Sequence, residues 1–154
     1  MIPMVPAGQD RFSARRYVLN GLAIDTKVSP QETEGGLFVI EHTDPHKGGP
    51  PRHIHHSQEE WFYVLEGEYV LEVGEQRYQL RPGDSALAPR GVPHVWAHVG
   101  DGQGRLLIGF QPAGRMDEFL RNLSQIEGIP SPERLQPLFR AHGMEIVGPP
   151  LPVK

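Results

Sequence analysis

The 154-residue chain contains no cysteine. Disulfide staples, thiolate-held zinc, iron–sulfur ligation and cysteine nucleophiles are therefore excluded. No apolar run approaches the roughly 18 residues of a membrane-spanning helix, so no segment is expected to cross a bilayer. Basic charge is also short: 15 Lys and Arg stand against 19 Asp and Glu, a formal net charge of −4. Nucleic-acid binders present a basic face and membrane-surface helices a basic stripe, and neither partner is expected here. The opening residues, MIPMVPAGQDRF, lack a basic stretch followed by an apolar one. No secretory leader is expected there, and a cytoplasmic location is.

Glycine and proline are abundant instead, at 18 and 16 residues, more than a fifth of the chain. Average usage of the two is about 12%. This density breaks helices, so a long-helix bundle is excluded. Apolar residues at 38% and aromatics at 8% supply a core, and the length suits one domain.

Short β-type runs fill the middle of the chain: 22–28, 36–43, 53–55, 59–66, 68–73, 76–80, 84–88, 93–99 and 104–110. Glycine-bearing turns separate many of them, at Gly67, Gly74, Pro82-Gly83, Gly91 and Gly100. Short strands at regular spacing predict an all-β sandwich or barrel. Residues 1–20 read as an irregular arm, 21–112 as the barrel, and 113–154 as a helical and extended end, together one domain over 1–154. Met116, Phe119, Leu120 and Leu123 lie at i, i+3, i+4 and i+7 and predict one helix. Ser131 and Pro132 mark a second helix start, which Pro137 is expected to break into two short turns.

The histidines are clustered. Five of the eight fall within 42–56 and two within 94–98. Alternate residues of a strand share a face, so His53 and His55 project together. Glu60 shares a face with Phe62 and Val64, and His94 with Trp96 and His98. Two imidazoles from one strand, a carboxylate a few residues on, and an imidazole from another strand make a sulfur-free metal shell. Such donors accept most divalent first-row ions. His56 points away from His55, and His42 and His46 read as solvated strand-end and loop residues.

With these motifs in view, the chain resembles the cupin superfamily. The first cupin motif, Gly-x5-His-x-His-x3–4-Glu-x6-Gly, appears as His53-Ile54-His55, four residues, Glu60, six residues and Gly67. The second, Gly-x5-Pro-x-Gly-x2-His-x3-Asn, appears as Gly83, Pro89, Gly91, His94 and then His98. Fifteen residues, 68–82, separate the two motifs. Two positions depart from the pattern. Lys47 stands at the leading glycine, with Gly48 and Gly49 following, and His98 replaces the closing asparagine.

The resemblance implies a jelly-roll β-barrel, the double-stranded β-helix, with one or two short C-terminal helices. It implies metal ligation by His53, His55, Glu60 and His94, with one divalent transition metal per chain (Fe, Mn, Ni, Co, Cu or Zn). The chain looks most like the small bacterial quercetin-dioxygenase-like monocupins. That likeness implies a dioxygenase acting on a small aromatic or enolic substrate. Glu60 is then the ligand and base, His98 a further catalytic candidate, and Phe62, Val64 and Trp96 the pocket wall. A metallo-cupin isomerase, epimerase or decarboxylase of a sugar or organic acid is the second reading. A non-enzymatic sensor or binding module is the third. A small-molecule ligand and a homodimer are expected as partners.

Overall fold

The computed structural model describes residues 4–154. Among the described residues, eleven strands, all paired antiparallel, make two sheets. In chain order they are β1 (Arg16–Val18), β2 (Leu22–Val28), β3 (Phe38–Asp44), β4 (His53–His55), β5 (Glu59–Glu66), β6 (Tyr69–Val73), β7 (Gln76–Leu80), β8 (Ser85–Ala88), β9 (His94–His98), β10 (Gly104–Gln111) and β11 (Met144–Ile146). Two helices, α1 (Met116–Leu123) and α2 (Pro132–Ala141), lie between β10 and β11. One sheet runs β1-β2-β3-β10-β5-β8 and the other β11-β4-β9-β6-β7. This is the jelly-roll arrangement expected of the sequence.

The period-two pattern explains which side chains fill the interior. On β5, Glu60, Phe62 and Val64 are buried while Trp61 is exposed. On β10, Leu106, Ile108 and Phe110 face inward against them. The second sheet answers with Tyr69, Leu71 and Trp96. Each fully buried large side chain contributes roughly 1.5–3 kcal/mol, so this double layer dominates the stability of the barrel. Gly49 shows how tightly the loop before β4 is drawn in. A Cβ there would lie 2.0 Å from the Trp96 carbonyl oxygen, a contact only glycine avoids. Neighbouring Gly48 exchanges two backbone hydrogen bonds with His98.

Three features differ from the sequence reading. The expected irregular arm includes β1, which pairs with β2; residues 1–3 of that arm lie outside the described residues. A three-residue strand is too short to show a period. The same applies to β11, unexpected in the C-terminal end, which pairs with β4. The third is α2, which runs unbroken through Pro137. Proline there removes the N–H that would reach the Glu133 carbonyl and crowds that carbonyl, a local cost that packing has to offset. Ser131 accepts from Arg134 as N-cap, and burial of Leu135 and Phe139 holds the helix in place. The first helix forms where its stripe predicts, with Met116, Phe119, Leu120 and Leu123 all buried.

Candidate metal centre

The barrel brings four donors from three strands to one place. His53 and His55 lie on β4, His94 on β9 and Glu60 on β5. His53 and His94 are direct cross-strand partners, and Glu60 comes from the opposite sheet. One donor atom from each residue lies within 4.8 Å of all the others, and all four residues are buried. Glu60 Oε1 is 2.8 Å from His55 Nε2, 3.0 Å from His94 Nε2 and 3.9 Å from His53 Nε2.

The partners on the far side of each ring decide what these nitrogens can do. His53 Nδ1 faces the Pro51 carbonyl at 2.8 Å, and His94 Nδ1 faces the Val92 carbonyl at 3.1 Å. A carbonyl only accepts, so both Nδ1 atoms carry the proton. His55 Nδ1 meets Gln58 Oε1 at 2.7 Å. The amide of Gln58 is oriented by its nitrogen, which donates to the carbonyls of Pro112 and Ala113 at 2.8 and 2.9 Å. Gln58 therefore also offers an acceptor to an Nδ1–H. Each ring therefore turns its Nε2 inward, toward the Glu60 carboxylate; burial opposes a charge on His94, but its hydrogen bond with Glu60 outweighs this and raises its pKa. His55 Nε2 has no hydrogen-bond partner although Glu60 is near, because the contact lies outside hydrogen-bonding geometry.

Three inward ring nitrogens and one carboxylate converge on a point that a shared cation would satisfy. A single proton relieves one such contact. A divalent metal takes all four donors at once, and the fixed Nδ1–H bonds are what ligating histidines commonly have. The residues present thus fit a single metal. Burial alone would raise the pKa of Glu60, but the contacts with His55 and His94 outweigh it and hold the carboxylate well below its usual range. Burial, with His94 and His55 adding to it, lowers the His53 imidazole to about 3, so that ring is neutral.

A cavity of about 60 Å³ opens beside the donors. His53, His55 and Glu60 form its polar end, and Ile40, Trp96, Ile108 and Phe110 its walls. Met116, Phe119 and Leu120 of α1, with Leu135 and Phe139 of α2, cap it, and Val18 and Leu22 close one side. Of the expected wall residues, Trp96 lines this space. Phe62 lies behind it, its ring 6.2 Å from that of His94, and Val64 is packed in the core.

His98 stands apart from the group. It is fully buried at the other end of β9, four residues and about 13 Å along the strand from His94. Its Nδ1 faces the His46 carbonyl at 3.1 Å, and glycines at 67, 100 and 104 crowd its Nε2. Nearby, Tyr69 donates to Asp44.

Two residues of the site lie outside the sequence expectation. Gln58 carries no motif position, and its role depends on carbonyls 54 and 55 residues away. His42, expected in solvent, is instead buried and lines the cavity. Its strand β3 is held between β2 and β10, which turns the ring inward. The alternation of Phe38, Ile40 and His42 is the signal in the sequence that points to this.

Comparison with known proteins agrees with this architecture. The sequence model of the family described as "Cupin domain" matches residues 39–110, a span that holds all four donors. The chain is 35% identical over 82 residues to quercetin 2,3-dioxygenase of Bacillus subtilis (strain 168), a match covering 53% of this chain and 24% of that protein. It spans less than half the length of the curated relatives it matches. Among solved structures it is similar to a predicted oxalate decarboxylase from Thermotoga maritima, with a TM-score of 0.57, 17% identity, and 64% and 90% of the two chains covered. It is also similar to a sugar phosphate isomerase from Silicibacter pomeroyi DSS-3, with a TM-score of 0.55, 21% identity, and 67% and 74% covered. At these identities the structural likeness concerns the fold alone.

Proposed function

We propose that this chain, whose residues 39–110 match the cupin domain family, is a metal-dependent dioxygenase acting on a small aromatic or enolic substrate. The observation that carries this reading is the pairing of a sulfur-free His3Glu donor set with a mostly apolar cavity. His53, His55, His94 and Glu60 would hold the metal, which supplies Lewis acidity and, if redox-active, a route for dioxygen chemistry. The chain's own residues do the rest. Pro51, Val92 and Gln58 fix the tautomer and aim of each imidazole. Glu60 is the one carboxylate lining the cavity among the described residues, and that position lets it meet a substrate hydroxyl and take its proton.

The apolar wall favours an aromatic body over a sugar. No Lys or Arg lines the cavity among the described residues, so a sugar phosphate or a dicarboxylate would find no cationic side chain there. That lining argues against the isomerase and decarboxylase readings that the structural neighbours bring to mind. The space is small. An engineered apolar cavity of about 150 Å³ admits benzene, so a ring entering here requires the side chains of Met116, Phe119 and Phe139 to move aside. Methionine, unbranched and adaptable, accommodates such motion at low cost.

The test is oxygen uptake by the metal-replete protein with a flavonol and with catechol. Uptake by the native chain, falling by about 100-fold or more in Glu60→Ala, is the expected result. Metal-replete protein that consumes no oxygen with either substrate contradicts the dioxygenase reading.

A further inference from the structure

We propose that His42 is a substrate-binding residue, supplying a second polar contact to a hydroxyl or carbonyl group on a ligand whose body is apolar. The proposal rests on the metal-centre reading and adds to it a residue outside both cupin motifs. His42 lies on β3, opposite Leu106 of β10 and Ile24 of β2, and Ile40 precedes it on the same face. Its ring lines the cavity alongside His53, His55 and Glu60. It packs edge-on against Trp96, with centroids 5.3 Å apart.

Within this apolar wall, an imidazole is an expensive choice for packing alone. His42 is 7% exposed, and its Nδ1 is buried without any hydrogen-bond partner. Buried polar groups are paired in the great majority of cases, so an orphan at a cavity wall points to a partner that comes and goes. The three ligand histidines each have their outward nitrogen fixed by an acceptor, and His42 has none. Burial holds the ring neutral, lowering its pKa to about 4 against an opposing pull from Glu60. A neutral imidazole carries one N–H and one lone pair, and so serves a hydroxyl or a carbonyl equally. Apart from the metal donors, His42 is the only titratable side chain lining the cavity among the described residues. The ligand class that follows is a compact, mostly apolar molecule with two polar groups, one for the metal end and one for His42. A phenol with a second hydroxyl fits that description, and a phenol with one hydroxyl does not.

The test uses Co(II)-loaded protein and two probes, catechol and phenol, with dissociation constants from titration calorimetry. The native chain is expected to bind catechol more tightly than phenol. His42→Leu is expected to weaken catechol about tenfold while leaving phenol within about twofold, and His42→Gln, which keeps a hydrogen-bonding group, to recover most of that loss. A preference for catechol that persists in His42→Leu belongs to chelation at the metal and overturns the proposal. Native protein that holds Co(II) but binds no catechol overturns it too, and the metal reading stands. Native protein that does not hold Co(II) overturns both. Should His42→Leu fail to fold, His42→Phe takes its place beside His42→Gln, with the same two outcomes for catechol and phenol.

Discussion

Strand β9 carries two buried histidines on one face, and their surroundings are opposite. His94, at one end, converges with three other donors beside an open cavity. His98, at the other end, is enclosed by glycine backbone at 67, 100 and 104 and by the Asp44–Tyr69 pair. Both rings have an Nδ1 tied to a carbonyl, and Trp96 separates them. Residue type and burial are alike at the two ends. What differs is whether other donor atoms or closing backbone meet the remaining nitrogen. A buried imidazole marks a site where donors converge, and marks packing where backbone closes over it.

Variants at the two ends should separate these roles. The largest effect is expected for His94→Ala, which removes a donor. Metal affinity should fall by more than about 100-fold in a chelator-competition titration, since losing an outer partner alone costs about 10–100-fold. Gln58→Ala comes next. It frees the His55 ring to rotate, and the same titration should show about a 10–100-fold loss with the fold intact. At the closed end, Gly104→Ala should leave metal affinity unchanged and lower stability. The added Cβ would lie 2.5 Å from the Tyr69 hydroxyl and 2.6 Å from His98 Cδ2. Overpacking of this kind costs about 1–3 kcal/mol, readable by urea unfolding. A loss of metal in Gly104→Ala without a loss of stability would erase the contrast between the two ends.

The smallest effect is a pH slope. Burial raises the Asp44 carboxyl to about 7, against the opposing hydrogen bond from Tyr69. An unfolded aspartate titrates near 4. Between about pH 4 and pH 7 the folded chain therefore holds a proton that the unfolded chain releases. The contribution is complete below about pH 4 and is lost as pH rises through about 7. Asp44→Asn keeps an acceptor for Tyr69 and removes this slope. It should be more stable than the native chain at pH 8 by about 1–2 kcal/mol, less than full linkage because an ionised Asp44 draws water toward it. Unfolding curves at pH 4 and pH 8 measure the difference.

The ligand set is legible in the sequence because its spacing is local. His53 and His55 share a strand face by period two, Glu60 follows on the next strand, and the turn residues place His94 in the second motif. An all-β sandwich or barrel is legible through short runs and glycine turns, and the jelly roll through the resemblance to cupins. What escapes depends on long-range pairing. His42 is buried because β2 and β10 flank β3, and Gln58 matters because the chain leaving β10 delivers the Pro112 and Ala113 carbonyls to it. β1 and β11 have three residues each, too few for a pattern, and they are held by partners already in the sheets. Pro137 misleads because burial of Leu135 and Phe139, a tertiary effect, outweighs the local cost of a proline inside the helix.

Whether His53, His55, His94 and Glu60 bind one metal together is tested most directly by X-ray absorption on the chain purified without added metal. The predicted result is about one first-row transition metal per chain, in a nitrogen and oxygen shell with the multiple-scattering signature of three imidazoles and no sulfur. A chain without bound metal, or a metal held by a single imidazole, would contradict it.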